Sequence, residues 1–300
     1  MPQLKKFKTN PKYLSKGRNQ LAERFKCTPE IIQEARLRLK LEQYKKQSTE
    51  IEQVTEQVEF KKLFFDIETS YNVIADFSCG WNKNIGPNQI LKERAVICIC
   101  YKWHTEDTVH YLTWDKNQCD KQMLIDFIKI METADEVIGH NSDKFDIKWL
   151  RTRCLFHRIP CPSKFRSLDT LLKAKGSFNF NSNKLDYIGQ YLGVGQKQDT
   201  GGLQLWIDIC QHKDQEALSR MVDYCINDVV LLQDVYNTMN GYIHHNTNFA
   251  VLNGLPKWCC PECTSKKVKL RKSSTTVMGV IKRHMICENN KCKTQFDISN

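Results

Sequence analysis

Three short runs of β-forming residues follow one another after Lys62, and they constrain the fold more than any other feature of the sequence. The runs are LFFDIE, AVICICYKW and TVHYLTW. Glu136–Gly139 reads as a fourth short strand. Helical periodicity is found in four segments, Lys121–Glu132, Asp146–Arg153, Lys184–Leu192 and Glu216–Met239. Strands that come first and then alternate with helices predict an α/β domain with a mixed sheet, which we expect to span residues 62–242.

Charge divides the chain into three regions. Residues 1–46 carry 13 Lys/Arg against 4 Asp/Glu and residues 257–300 carry 10 against 3, whereas residues 47–256 carry 22 against 27. Basic ends around an acidic centre predict that the ends bind a polyanion and the centre binds cations. A solvated basic surface without a partner is the alternative. Since no apolar stretch approaches the roughly 18 residues of a membrane span and no signal-peptide pattern is present, we expect a cytoplasmic protein without membrane contact.

The basic N-terminal region is predicted to be a helical module over residues 1–46, followed by a polar linker over 47–61. Ser15 can cap a first helix, and Thr28-Pro29 can open a second one. The pair resembles a helix-turn-helix, although Lys26 or Cys27 stands where many such motifs carry a turn glycine. A basic helical hairpin that contacts a protein, such as a replication or repair factor, is the alternative.

Carboxylates recur at three places in the central region. Asp66 and Glu68 lie two residues apart at the end of a strand, so the alternation of side chains places both on one side. Asp146 lies at the start of a predicted helix that follows a strand and a turn. Tyr224 and Asp228 lie four residues apart on a helix, which stacks a phenol and a carboxylate on one face. Each pattern alone also fits a solvated strand end or an ordinary amphipathic helix.

Taken in order, the patterns DIET, HNxxxFD and YxxxD resemble the three motifs of the DEDD superfamily of 3′→5′ exonucleases. The similarity is to the branch with tyrosine in the third motif, which includes family B polymerase proofreading domains and stand-alone relatives. It covers roughly residues 62–240 and extends to SLDT at 167–170 and KLDYI at 184–188. The resemblance implies an RNase H-like fold, with a mixed β-sheet flanked by helices. No segment after Asp228 resembles a polymerase motif, so we expect a stand-alone nuclease.

The resemblance also implies roles for individual residues. Two Mg²⁺ or Mn²⁺ ions, which prefer hard oxygen donors, would bind four carboxylates, those of Asp66, Glu68, Asp146 and Asp228. Tyr224 would orient the attacking water. Thr69 and Asn141 would contact the terminal nucleotide, with Phe145 packed nearby. For His140, which precedes Asn141, a histidine with satisfied hydrogen bonds is the expectation, not a metal ligand.

The implied activity is hydrolysis of phosphodiester bonds from a 3′ end, with DNA as the favoured substrate. One alternative keeps the fold and the reaction but changes the substrate to RNA. A second alternative is a non-catalytic adaptor that binds nucleic acid on an inactive nuclease fold. Retention of all four carboxylates and of Tyr224 argues against the adaptor, because an inactive site commonly lacks at least one of these residues.

Most of the 14 cysteines occur singly in apolar stretches, and we expect these to be buried reduced thiols. The pairs Cys260/Cys263 and Cys287/Cys292 instead resemble a zinc ribbon over residues 257–300, which would hold one structural Zn²⁺ after a linker at 243–256. Because the second pair is spaced more widely than usual, Cys259 and His284 are alternative ligands, and a redox pair is the rival interpretation. The stretch between the pairs alternates apolar and basic residues, which predicts a hairpin facing nucleic acid.

Overall fold

The computed structural model describes residues 60–77, 80, 84–199, 201–245, 247–290 and 292–299, together with residue 23. The predictions for the N-terminal module at 1–46 and for the linker at 47–61 therefore lie outside the described residues, apart from residues 23, 60 and 61. Residues 60–300 form one compact unit. Within the described part of the chain, no helix combines the length and the apolar character needed to cross a membrane.

Along this unit five strands come first, helices and strands alternate as far as the seventh strand, and a run of helices then precedes three C-terminal strands. The strands are β1 (Lys62–Thr69), β2 (Val73–Ile74), β3 (Ile90–Lys92), β4 (Val96–Trp103), β5 (His110–Thr113), β6 (Glu136–Gly139), β7 (Ser167–Asp169), β8 (Val268–Thr275), β9 (Ile281–Cys287) and β10 (Gln295–Ser299). The helices are α1 (Lys121–Glu132), α2 (Asp146–His157), α3 (Thr170–Ser177), α4 (Leu185–Leu192), α5 (Leu203–Cys210), α6 (Gln215–Met239) and α7 (Phe249–Leu252). β7, α3 and α5 were not predicted from the sequence, and each has at most eight residues.

A five-stranded sheet with strand order β5-β4-β1-β6-β7 forms the centre of the fold. β1 pairs antiparallel with β4, and β4 pairs antiparallel with β5, whereas β1, β6 and β7 are parallel to one another. The sheet is therefore mixed and flanked by helices, which confirms the predicted α/β class. The parallel half follows from the helical crossovers, whereas the strands of the antiparallel half have no α-helix between them among the described residues.

The alternation of β1 determines which side chains reach which layer. Phe65 points to the side of α1, where its ring lies 5.6 Å from that of Phe127. Phe64 points to the side of α6, where its ring lies 5.3 Å from that of Tyr236. Asp66 shares this second side, because residues two apart on a strand have the same orientation. The same alternation that builds the core thus brings the acidic residues under α6.

Helix α6 is the long element that covers this side of the sheet. Asp214 caps it, accepting hydrogen bonds from the backbone N–H of Glu216 at 2.8 Å and of Ala217 at 3.2 Å. Its buried positions recur at helical spacing and include Met221, Cys225, Asp228, Leu232, Tyr236 and Met239. The helix packs on β1 and β4. A carboxylate on its buried face therefore meets the acidic residues of β1.

The C-terminal region contains a second, smaller sheet of order β10-β9-β8, in which all pairs are antiparallel. β8 and β9 form the hairpin predicted between the two cysteine pairs. The segment predicted as a linker, 243–256, includes helix α7 and the buried residues Ile243 and Phe249. The ring of Phe249 lies 4.1 Å from that of Phe60, which precedes β1. The smaller sheet thus continues from a segment that packs on the nuclease-like region.

Candidate active site

Four acidic side chains, two from β1 and one each from α2 and α6, meet near the C-terminal end of β1, the middle strand of the central sheet. Carboxylate oxygens of Asp66, Glu68 and Asp228 all lie within 4.8 Å of one another. Asp146, at the start of α2, accepts a hydrogen bond from the backbone N–H of Ile67 at 3.2 Å. The structure therefore brings together all four carboxylates that the sequence motifs single out.

Burial and mutual repulsion disfavour the charged forms of these carboxylates. Burial, followed by the charge of Asp228, raises the pKa of Glu68 to about 8. Burial likewise raises the pKa of Asp146 to about 7. The pKa of Asp66 lies well above its usual range, first because of burial and then because of the charges of Asp146 and Glu68. Carboxylates held this close are stabilised as anions only when a cation joins them.

Lys197 is a member of this cluster that sequence reasoning missed. Its Nζ donates to Oδ2 of Asp228 at 2.5 Å and to the hydroxyl of Tyr224 at 3.2 Å. The backbone N–H of Lys197 donates to Oδ1 of Asp186 at 2.8 Å, which fixes the loop after α4. Its carboxylate neighbours raise the pKa of Lys197, Asp228 foremost, against the lowering effect of burial. A lysine in a loop between motifs has no periodic signal by which to recognise it.

Tyr224 lies one helical turn before Asp228, as predicted, and its hydroxyl is held at the edge of the carboxylates. Burial, and then the charge of Asp228, raises the pKa of Tyr224 to about 12. The phenol is therefore protonated at neutral pH. A neutral hydroxyl in this position can orient a water molecule, but it is a poor base.

The donor set fits divalent cations. Oδ1 of Asp228 is buried and finds no hydrogen-bond partner among the described residues. Four carboxylates face a single lysine in the described part of the site, so anionic charge is in excess. Buried, unpaired carboxylate oxygens are costly unless they are bound by a cation, and Mg²⁺ and Mn²⁺ prefer such hard donors.

A groove of about 610 Å³ opens beside the carboxylates and reaches Lys197. Its lining residues are polar or basic for the most part and include Asn141, Lys175, Ser182, Lys184 and Asp186. Asn141 adopts a left-handed backbone conformation with φ of 67°, which asparagine tolerates, and its N–H donates to Asp169 at 2.9 Å. This backbone conformation is held where Asn141 lines the groove.

The other residues that the motifs single out lie around the same end of the sheet. Thr69 ends β1 and is buried, and its carbonyl accepts a hydrogen bond from Nε1 of Trp206 at 3.0 Å. Phe145 is half-buried and packs on the core. The two ring nitrogens of His140 lie 2.9 Å from Oγ1 of Thr170 and from the carbonyl of Asn183. His140 is therefore internally satisfied, as expected.

The C-terminal cysteines form a second cluster of ligand-type groups. The Sγ atoms of Cys260 and Cys292 lie 3.7 Å apart, and those of Cys263 and Cys287 lie 3.5 Å apart. All four sulfurs lie within 4.8 Å of one another. A tetrahedral Zn²⁺ site with Zn–S bonds of about 2.3 Å has sulfurs about 3.8 Å apart, so this cluster has the dimensions of such a site.

Neither of the alternative ligands is needed for this cluster. Cys259 is buried but lies outside the group of four. The ring nitrogens of His284 lie 2.6 Å from Asp297 and 2.8 Å from Ser274, so both have partners. The convergence of four sulfurs, and not of a single pair, is the arrangement that a tetrahedral metal site requires.

Comparisons with known proteins agree with the fold. The profile of a family described as the RNase H superfamily matches residues 63–240. Among solved structures, the family B DNA polymerase from the hyperthermophilic archaeon Pyrobaculum calidifontis is similar, with a TM-score of 0.47 and 15% sequence identity. The similarity covers 60% of this chain and 24% of the polymerase chain, so this chain spans about a quarter of that protein's length. No curated protein sequence matches significantly.

Proposed function

This chain belongs to the RNase H superfamily, and we propose that it is a metal-dependent 3′→5′ exonuclease acting on nucleic acid, with DNA as the favoured substrate. Members of the superfamily are typically nucleases that use divalent metals. The observation that carries the proposal is the meeting of Asp66, Glu68 and Asp228 within 4.8 Å, beside Asp146, with a buried and unpartnered oxygen on Asp228. An inactive adaptor has no use for so costly a cluster.

In this proposal the four carboxylates would hold two Mg²⁺ or Mn²⁺ ions, which would supply acidification of a water and stabilisation of charge on the leaving 3′-oxygen. Tyr224 orients that water through its neutral hydroxyl. Lys197 fixes the tyrosine hydroxyl and Asp228 and places a positive charge beside the phosphoryl group. The water oxygen forms a bond to phosphorus while the bond to the 3′-oxygen breaks. The leaving oxygen takes up a proton, and a nucleoside 5′-monophosphate is released.

The groove beside the carboxylates suits the end of a polynucleotide chain. We propose that Asn141, which lines the groove, and Thr69 contact the terminal nucleotide, with Phe145 packed nearby. Lys175 and Lys184 line the same groove and can neutralise phosphates. Basic residues along the groove support a polyanionic substrate such as a nucleic acid.

We propose further that the four clustered cysteines hold one structural Zn²⁺, which makes residues 257–300 a zinc ribbon next to a nuclease domain at 62–242. The exposed lysines of β8 and β9 would then form a basic face for nucleic acid. We retain residues 1–46 as a basic module that binds nucleic acid or a replication or repair protein. None of these parts requires a membrane.

Purified full-length protein with Mg²⁺ or Mn²⁺, given 3′- and 5′-labelled oligonucleotides of DNA and RNA, tests the activity. We expect the 3′ label to appear at once as a mononucleotide, and the 5′-labelled strand to shorten stepwise. Asp66→Ala and Asp228→Asn should reduce cleavage below detection, because each removes an anionic metal ligand. Asp223→Asn, an exposed carboxylate on the same helix, is the matched control. Full activity of Asp66→Ala with Mn²⁺ would sink the assignment.

A further inference from the structure

Three buried cysteines lie directly behind the carboxylates of the candidate active site. Cys98 and Cys100 come from β4, and Cys225 comes from α6. Their Sγ atoms all lie within 4.8 Å of one another. Each residue is fully buried, with an exposed fraction of 0%. The proposed reaction gives these thiols no role.

The register of the sheet explains why thiols and carboxylates are neighbours. Cys100 is paired with Asp66, and Cys98 is paired with Glu68, on adjacent strands. Paired residues of adjacent strands project from the same face, so both cysteines lie on the side that α6 covers. Cys225 completes the group from α6, and its Sγ lies 3.8 Å from Oδ2 and 3.6 Å from the carbonyl oxygen of Asp66.

The geometry is that of a donor set for a thiophilic metal ion. Cysteine is a common core residue, so its burial alone defines no site. Here, however, three sulfurs from two elements converge, and a carboxylate oxygen lies next to one of them. Thiolates select ions such as Zn²⁺, Cd²⁺ and Cu⁺ over Mg²⁺. Tetrahedral Zn–S bonds of about 2.3 Å require sulfurs about 3.8 Å apart, so the cluster needs to contract by no more than about 1 Å.

We propose that Cys98, Cys100 and Cys225 form a site for one thiophilic divalent ion, and that its occupation inhibits the nuclease through Asp66. Each thiol releases its proton to water as its sulfur binds the ion. Asp66 is the fourth donor, so the ion withdraws this carboxylate from the Mg²⁺ site and adds positive charge behind it. Binding of the ion does not depend on the proposed activity, whereas the inhibition rests on that activity.

Cadmium is a suitable probe because thiolate-to-cadmium charge transfer is visible in the ultraviolet. The full-length, zinc-replete protein is compared with Cys98→Ala and Cys225→Ala, and with Cys154→Ala, a fully buried cysteine of α2 outside the cluster. We expect wild type and Cys154→Ala to bind one more Cd²⁺ per chain than the two cluster variants. Loss of one ligand should weaken inhibition of the Mg²⁺-supported nuclease by roughly 10- to 100-fold or more.

The two readouts separate the possible failures. Equal cadmium content and equal charge-transfer bands in all four proteins would refute the site. Inhibition that is unchanged in both cluster variants would place cadmium at the carboxylates or at the four C-terminal cysteines, which also refutes the inhibitory role. If the chain shows no nuclease activity but binds the additional Cd²⁺ only with an intact cluster, the site stands and the proposed function fails. Circular dichroism shows which variants are folded, and either cluster variant suffices.

Discussion

The carboxylate cluster offers hard oxygen ligands and lies in a large hydrophobic core. The C-terminal cysteine cluster offers soft sulfur ligands and lies in a small sheet with few buried residues. The carboxylates lie on β1, α2 and α6, where the neighbouring core residues Phe65, Leu150 and Val229 are buried, so the large core holds them in place. The cysteine cluster lies in a small sheet whose β8 is almost entirely exposed, with Phe296 and Ile298 as its buried apolar residues. We conclude that a metal would serve chemistry at the first site and folding at the second.

A buried ion pair joins the two regions. Lys62, the first residue of β1, contacts Glu262, which lies between Cys260 and Cys263. The two side chains are only 9% and 5% exposed. The hydroxyl of Tyr236, near the end of α6, donates to Glu262 at 2.9 Å and accepts from Lys62 at 3.1 Å. The strand and the helix that carry the carboxylates are thus attached at their far ends to the loop that carries two cysteines.

The largest effect should come from removing cysteine ligands. Replacing Cys260 and Cys263 by serine should abolish zinc binding, which contributes on the order of 10 kcal/mol or more to folding in small zinc domains. We expect about one Zn²⁺ per wild-type chain and none in the variant, and a protease-sensitive C-terminal region in the variant. Because Glu262 is released, the melting temperature of the nuclease region should fall as well. Cys259→Ser is the control. Wild-type protein that lacks zinc when prepared without chelators would contradict the claim that a metal stabilises the cysteine cluster.

A smaller effect is expected from the ion pair itself. Lys62→Met or Glu262→Gln leaves one buried partner without its counter-charge, which typically costs about 3–5 kcal/mol. Urea unfolding measures the loss, and the double variant should lose less than the sum of the two single variants. Lys61→Met, an exposed neighbour, should be neutral. If the single variants are as stable as wild type, the two regions are independent.

The carboxylate cluster should make the folded protein less stable as pH rises, which is the opposite of the pH dependence seen in acid denaturation. The ordinary pKa of Glu68 is 4.5, and burial raises it to about 8 in the folded protein. Between these values the folded state holds a proton that the unfolded state has lost, so the free energy of unfolding falls as pH rises from about 4.5 to 8. The raised pKa of Asp146, about 7, acts in the same direction.

In Mg²⁺-free buffer we therefore expect lower stability at pH 8 than at pH 5, by on the order of a few kcal/mol. Added Mg²⁺ should raise the melting temperature more at pH 8 than at pH 5, because it stabilises the anions. Glu68→Gln should flatten the pH dependence, whereas the exposed Glu93→Gln should leave it unchanged. A melting temperature that rises steadily with pH in wild-type protein would show that the carboxylates are not destabilised by burial.

The sequence predicted those features that a local pattern encodes. The alternation of β1 predicted that Asp66 and Glu68 share one side, and the i,i+4 spacing predicted that Tyr224 and Asp228 share one face of α6. Their assignment to one site came from the resemblance to the three exonuclease motifs, and the spacing of the cysteines predicted their cluster. Lys197 was missed because a loop conformation brings it to Asp228. The contact of Glu262 with Lys62 was missed because the two residues are 200 positions apart. Local periodicity contains no information about such pairs, which depend on how whole elements pack.

The smallest expected effect concerns the exposed face of the cysteine module. Lys269 and Lys272 of β8 project from the same face as Lys282 of β9. The β9 partners of the two β8 lysines are Ile286 and His284, which lie at two-residue steps from Lys282 and so share its side of the strand. Met285 and the buried Phe296 are paired on the opposite face. A basic face backed by an apolar one fits a surface that contacts phosphates. Since Glu262 attaches this module to Lys62, deleting it would disturb the nuclease region, and point substitutions are the cleaner test.

Each lost phosphate contact should reduce the slope of log affinity against log salt by about 0.7 for single strands or 0.9 for duplex. Lys269→Gln with Lys272→Gln should therefore lower the slope by more than one unit if both lysines contact phosphates. Lys116→Gln with Lys164→Gln, a pair of exposed lysines outside the module, controls for net charge. Turnover at saturating substrate should stay near the wild-type value, because the carboxylates and Tyr224 are untouched. An unchanged slope would mean that this face is merely solvated, and that the groove beside Lys197 holds the substrate without help from the cysteine module.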